Sequence, residues 1–238
     1  MAVDTVVSTV RSAAAISDWR SAAQLIDHTL LKADATRDDI RALCSQAVQY
    51  GFHCVVVNPT WVALAASQLR GTDVAVATVV GFPLGANLTA AKLAEADTAL
   101  RNGARELEMV INIGALKSGD RTLVQTEMRC LAGLAHSRHA LLKVILENAL
   151  LSQEEKILAC ALAMDAGADF VKTSTGFAAS GATASDVVLM RGVVGHKVGV
   201  KAAGGIRTAA DLSAMVDAGA NRIGTSAGVE IVREMGAP

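Results

Sequence analysis

Three of the eight lysines in this 238-residue chain stand inside or at the end of apolar runs. They are Lys143 in Leu141-Leu142-Lys143-Val144-Ile145, Lys172 in Phe170-Val171-Lys172-Thr173, and Lys201 in Val198-Gly199-Val200-Lys201. A lysine is rarely buried without a partner. One such lysine reads equally well as half of a structural salt bridge. Three aimed at one place call for chemistry. Lys172 and Lys201 fall on sequential strands, where a second ammonium disfavours protonation of the first. Desolvation pushes the same way. A lysine held as a free amine near neutral pH is the nucleophile that makes an imine with a carbonyl substrate.

Glu108 lies in Leu107-Glu108-Met109-Val110, a charge among apolar neighbours. Strand alternation puts Glu106, Glu108 and Val110 on one face, so at least one of the two carboxylates is buried. Glu108 serves as a salt-bridge partner of Lys143, as a carboxylate relaying protons through water, or as both. Three glycine-rich turns follow late strands: Ser174-Thr175-Gly176, Ala203-Gly204-Gly205 and Gly224-Thr225-Ser226. Each is expected to run into a helix, so that backbone N–H groups converge on an anion such as a phosphate.

Other chemistries lack their spacing. The five histidines (His28, His53, His136, His139, His196) form neither H-x-H nor H-E-x-x-H, so no metal is expected. No G-x-S-x-G elbow exists for a serine nucleophile. The formal net charge of -1, without a basic or acidic run, predicts no nucleic-acid or anionic-membrane partner. The four cysteines show no pairing pattern and sit in apolar stretches, which predicts free, buried thiols in a reducing compartment. Asp4 and Arg11 interrupt the N-terminus, so a signal peptide is not expected, and a cytoplasmic location is.

The elements that position these residues alternate from end to end. Strands are expected near Gln24–Asp27, His53–Asn58, Asp73–Val80, Arg105–Ile111, Leu141–Glu147, Asp169–Lys172, Lys197–Lys201 and Asn221–Ile223. Helices are expected at Arg37–Tyr50, Thr60–Leu69, Thr89–Asn102, Arg121–Leu134, Gln153–Asp165, Thr183–Arg191, Thr208–Asp217 and Ala227–Met235. Ile40, Leu43, Cys44 and Ala47 show the i, i+3, i+4, i+7 spacing of one buried helical stripe. Gly51, Gly103, Gly167 and Gly219 each follow a helix and precede a strand, where a left-handed residue ends the helix.

Eight strand–helix units in this length predict a single α/β domain, a (β/α)8 TIM barrel over residues 1–238, with Met1–Ser21 as an added helical lead-in. An open doubly wound sheet is the competing fold, but no G-x-G-x-x-G follows the first strand. The C-terminal strand ends of a barrel carry its active site. That rule selects Asp27, His28, Thr29, Asn58, Glu108, Asn112, Lys143, Glu147, Lys172, Thr173, Lys201, Gly224 and Ser226.

With these residues the chain resembles the deoxyribose-phosphate aldolase family, from about Leu25 to the last helix. The markers are Ile26-Asp27-His28-Thr29-Leu30-Leu31-Lys32, Val57-Asn58-Pro59, Gly81-Phe82-Pro83, Phe170-Val171-Lys172-Thr173-Ser174-Thr175-Gly176 and Val200-Lys201-Ala202-Ala203-Gly204-Gly205-Ile206-Arg207. The resemblance implies reversible cleavage of 2-deoxy-D-ribose 5-phosphate to glyceraldehyde 3-phosphate and acetaldehyde, without metal or organic cofactor. It makes Lys172 the Schiff-base lysine and Lys201 the cation that lowers its pKa. Asp27, Thr29 and Leu31 line the pocket, and Lys143 joins the polar network. Thr175, Gly176, Gly204, Gly205, Gly224 and Ser226 contact substrate, the glycines and Ser226 at its phosphate. A homo-oligomer, most simply a dimer, is expected. The chain departs from the family in three places. Glu108 stands where the family usually has Asp. Val56 stands where many members have Cys, with Cys54 two residues earlier on the same face. Phe177 stands where some members have a lysine near the phosphate. Two other functions compete: another class I aldolase acting on a small sugar phosphate, and a sugar-phosphate-binding barrel that turns over weakly. Retention of both Lys172 and Lys201 argues against the second.

Overall fold

The computed structural model describes residues 16–238. The expected lead-in, Met1–Ser21, therefore lies mostly outside the described residues. Its last part enters helix α1 (Trp19–Ala23), opened by Asp18, whose side chain accepts from the Ser21 amide.

Eight parallel strands close into a barrel in sequential order: β1 (Ile26–Leu30), β2 (Cys54–Val57), β3 (Ala75–Val80), β4 (Glu106–Val110), β5 (Leu141–Ile145), β6 (Phe170–Lys172), β7 (Gly199–Ala203) and β8 (Arg222–Thr225). The last pairs with the first through Ile26–Ile223 and Asp27–Gly224. Helices follow in turn: α2 (Arg37–Tyr50), α3 (Val62–Gln68), α4 (Thr89–Arg101), α5 (Ile113–Lys117), α6 (Arg121–Ser137), α7 (Gln153–Asp165), α8 (Ala184–Val194), α9 (Ala209–Asp217) and α10 (Gly228–Glu234). The TIM-barrel expectation holds and the open sheet is excluded. Helix α2 falls where its stripe places it. Thr36 caps its start, and Gly51, at φ 68°, ends it in the left-handed conformation. Sequence patterning misses α5, a single turn and a half capped by the Asn112 side chain.

Strand alternation sorts side chains into two unequal compartments. Outward-facing Val55, Val57, Leu107, Met109, Leu142, Val144, Val171, Val200 and Ile223 join Ile40, Leu43, Met128, Leu131 and other helical residues in the main core, between sheet and helices. The apolar cluster inside the barrel is much smaller: Leu31, Cys54, Val56, Ala77 and Val79, with Ala75 and Phe82 against it. A typical barrel fills this space with branched aliphatics. Here β1 and β4–β8 send charged groups inward instead.

Gly199 makes room at the barrel floor. A Cβ there would lie 2.2 Å from the Phe170 ring. That ring fills the space beneath Lys143 and Arg222, whose cationic groups sit 5.9 and 5.8 Å from its centroid. Three of the four cysteines are buried as expected, but Cys130 is exposed. It lies on the outer face of α6, while Met128 and Leu131 take the core face.

Gly199→Ala should destabilise the protein by about 1–3 kcal/mol in urea unfolding, because Phe170 is pinned between the new methyl and the cations. Gly192, inside α8 with nothing within 4 Å of a built Cβ, is the matched control. Gly192→Ala should stabilise by about 0.5–1 kcal/mol.

Candidate active site

The inward residues of six strands meet in one buried charge cluster. Lys143 Nζ contacts Asp27 Oδ2 at 2.7 Å, Glu106 Oε2 at 2.5 Å and Glu108 Oε1 at 3.2 Å. Lys201 Nζ bridges Asp27 Oδ2 and Glu108 Oε1, each at 2.5 Å. Lys172 Nζ donates to the other Glu108 oxygen at 2.7 Å. Arg222 donates through Nε to Asp27 Oδ1 at 2.7 Å and through its terminal nitrogen to Glu106 Oε2 at 3.1 Å. All seven residues are buried.

Register explains the convergence. Glu108 pairs with Lys143, Lys172 with Lys201, and Lys201 with Arg222 across adjacent strands, each at an inward position. Gly224 supplies the remaining space: a Cβ on it would lie 2.8 Å from Lys201 Cε. Glycine at 224 thus lets the Lys201 side chain cross the barrel to β1 and β4.

The cluster holds three carboxylates (Asp27, Glu106, Glu108) and four cations (Lys143, Lys172, Lys201, Arg222). Charge balance is reached when one cation loses its proton, and local contacts select Lys172. Lys143 touches three carboxylates; burial and Arg222 oppose its protonation, yet Asp27, Glu106 and Glu108 outweigh them and raise its pKa well above the usual value. Arg222 is likewise raised, its burial outweighed by Asp27 and Glu106. Lys172 has Glu108 alone. Burial, then repulsion from Lys201 and Lys143, lowers its pKa below that of an ordinary lysine despite the carboxylate. Burial would raise Asp27, Glu106 and Glu108, but their cationic neighbours hold all three low.

Above the cluster opens a cleft of about 310 Å³ at the C-terminal strand ends. Thr29, Leu31, Lys172, Thr175, Gly176, Gly204, Gly205, Gly224 and Ser226 all line it. Nine of the residues singled out in the sequence therefore share one cavity, and Asp27, Glu108, Lys143 and Lys201 form the layer beneath. Among the described residues, the N–H groups of Gly176, Gly205 and Ser226 have no protein acceptor. Positive φ at Gly176 (87°), Gly204 (87°) and Gly205 (80°) shapes two of these turns. A larger hollow of about 830 Å³ opens at the other end of the barrel, around Arg70, Arg105 and His139, away from the lysines.

Several expectations change. The turn at Gly176 does not run into a helix: α8 starts only at Ala184, and Ala182 N instead donates to the carbonyls of Ala203 and Gly204 at 3.1 and 3.0 Å. The chain approaches so closely there that a Cβ on Gly181 would lie 2.1 Å from the Gly204 carbonyl oxygen. Glu108 contacts Lys172 directly as well as Lys143. Sequence reasoning missed Arg222, although the expected strand Asn221–Ile223 contains it, and left Glu106 as one of two possibilities. It also passed over Lys32 and Arg207, exposed cations on the cleft wall. Alternation from Ile223, a clear outward residue, was the signal that would have found Arg222. His28 and Asn58 have no bond to the lysine cluster among the described residues. The His28 ring packs on Phe52 and meets Gln46 at 2.9 Å, and Asn58 donates to the Leu31 carbonyl at 3.2 Å.

Asp27, Cys54 and Glu106 have ligand atoms within 4.8 Å of one another, the spacing of a metal site. Their chemistry fits poorly. Lys143 and Arg222 already neutralise both carboxylates, and burial, with Asp27 and Glu106 nearby, pushes the Cys54 thiol well up. A thiol must lose its proton to bind a metal.

The chain is similar to known proteins over nearly its whole length. A deoxyribose-phosphate aldolase of a Geobacillus species is 58% identical over 210 residues, covering 88% of this chain and 94% of its own length. That of Aciduliprofundum boonei is 56% identical over 218 residues, covering 92% and 98%. Among solved structures, the tetrameric deoxyribose phosphate aldolase of Aeropyrum pernix is 37% identical, with a TM-score of 0.85 and coverage of 90% and 91%. The model of the DeoC/LacD family aldolases matches residues 21–236, and this chain belongs to that family.

Proposed function

We propose that this chain cleaves 2-deoxy-D-ribose 5-phosphate reversibly to D-glyceraldehyde 3-phosphate and acetaldehyde through an imine on Lys172. The observation that carries this reading is Lys172 itself: the surplus cation of a buried cluster, with a lowered pKa, on the floor of the cleft. The names of the relatives agree with it.

In the cleavage direction, the free amine of Lys172 attacks C1 of the open-chain sugar. The carbinolamine loses water to give a protonated imine. The C3 hydroxyl gives its proton to the carboxylate side of the network, with Glu108 closest to Lys172 and Asp27 behind it. The C2–C3 electron pair then flows into the imine, leaving an enamine and releasing glyceraldehyde 3-phosphate. C2 takes a proton, with the Lys201 ammonium as the nearest fixed acid. Water hydrolyses the new imine, acetaldehyde leaves, and the amine is restored. The free amides of Gly176, Gly205 and Ser226, with the cations of Lys32 and Arg207, suit the phosphate at the other end of the substrate. No helix of the described residues is long and apolar enough to cross a membrane.

Acetaldehyde with borohydride should add mass to the peptide containing Lys172, and Lys172→Ala should abolish both the label and turnover. A label on Lys143 or Lys201 would move the covalent role elsewhere.

The lowered Lys172 pKa sets a sign for pH dependence. The reactive form is the neutral amine, so kcat/KM falls as pH drops through the Lys172 pKa. Lys201→Gln removes a repelling ammonium and frees Glu108 to stabilise the Lys172 ammonium. Both effects raise the Lys172 pKa, so the acid limb of the kcat/KM profile should move to higher pH. An unmoved limb would show that Lys201 does not tune the amine.

Ser226→Asp sets a like charge beside the phosphate. It should raise KM for the phosphorylated sugar about tenfold or more, and leave KM for unphosphorylated deoxyribose within about twofold. Equal effects on both would place the phosphate away from Ser226.

A further inference from the structure

Glu147 follows β5 and takes no part in the charge cluster. It is buried, and its backbone is left-handed at φ 60°, ψ 66°, a conformation that a residue with a Cβ seldom adopts. Only His139 shares a positive φ among the described residues other than glycine. Strain of this kind persists where surrounding structure demands it.

The demand comes from the loop after β6. The Thr175 amide donates to both Glu147 carboxylate oxygens, at 3.4 and 3.3 Å, and the Thr175 hydroxyl donates to Oε2. That hydroxyl in turn accepts from the Phe177 amide at 3.0 Å. No lysine, arginine or histidine among the described residues pairs with Glu147. Its side chain is committed to one turn. The flanking backbone ties the same two segments together, Leu146 N to the Lys172 carbonyl at 3.0 Å and Asn148 N to the Thr173 carbonyl at 2.9 Å.

Within Thr175-Gly176-Phe177 these bonds take up every donor except one. Thr175 N–H and O–H go to Glu147, and Phe177 N–H goes to Thr175. The Gly176 N–H, between them at φ 87°, is left over, and Gly176 lines the cleft four positions beyond Lys172. We infer that Glu147 is a positioning residue: it clamps Thr175 so that the Gly176 amide is held at a fixed distance from Lys172, as a donor to the phosphate of the bound sugar. The inference rests on the phosphate-end reading given above. A carboxylate suits the task because both oxygens accept. A glutamine in its place has one accepting oxygen and would set an NH2 against the two Thr175 donors.

Glu147→Gln tests this with size and shape preserved. For 2-deoxyribose 5-phosphate, KM should rise about tenfold while kcat stays within about twofold, since binding is lost equally in ground and transition states. For unphosphorylated deoxyribose, KM should move less than twofold. Thr175→Val, which keeps the amide and removes the hydroxyl, should act the same way. The double variant should be no worse than the more impaired single one, because both break one clamp. Unchanged KM for the phosphorylated sugar in both variants overturns the inference, as does an equal rise for both sugars. The parent protein separates this failure from a deeper one. If it distinguishes the two sugars and the variants distinguish them just as well, only the role of Glu147 is lost. If the parent does not distinguish them, the phosphate end is misplaced and this inference falls with it.

Discussion

Four cations and three carboxylates are buried together inside this barrel. Removing charge from solvent is costly unless each charge is paired. Lys143, Lys201 and Arg222 each touch at least two carboxylates, whereas Lys172 touches one. The proton that the cluster holds least tightly is therefore the one on Lys172. The reactivity of a single amine is in this sense a property of seven residues on six strands. Removing any one of the other cations would leave every carboxylate with at least one cationic partner and bring the cluster to charge balance with Lys172 still protonated.

The fold tolerates such an interior because its apolar packing lies elsewhere. Alternation sends Val, Leu, Ile and Met side chains outward, onto helices, and the main core forms there. Inside, small or absent side chains create the room that long charged ones occupy. Gly199 admits the Phe170 ring, and Gly224 admits the Lys201 stem. Each glycine on the last strands therefore contributes to the geometry of the cations, and the chemistry at the top of the barrel depends on packing at its bottom. The loops then add a second layer, in which Gly181 lies against Gly204 and Glu147 holds Thr175.

Much of this was legible in the sequence because burying a lysine contradicts the apolar pattern around it. Lys143, Lys172, Lys201 and Glu108 stood out as charges within Val, Leu and Ile runs, and strand alternation placed them inside. The eight-fold repetition of strand and helix made the barrel legible as well. Arg222 escaped because Ile223 is the one large apolar residue in Asn221-Arg222-Ile223-Gly224, so its inward position could be read only by alternation from that single neighbour. Lys32 and Arg207 escaped because a solvated loop gives a cation no contrast with its neighbours. The short helix α5 was hidden for a different reason: it buries only Leu116, so no periodic stripe announces it. The course of the segment between β6 and α8 depends on backbone contact with the β7 turn, which no local pattern encodes.

The central claim is that the cluster leaves Lys172 as a free amine more readily than an ordinary lysine. A direct titration is available by 15N NMR of lysine-labelled protein, following the Nζ resonances with pH and assigning Lys172 through Lys172→Ala. The account predicts a midpoint for Lys172 clearly below the usual value of about 10.4, with Lys143 still protonated when Lys172 has lost its proton. A Lys172 that remains protonated through pH 10.4, or that titrates after Lys143, would contradict it.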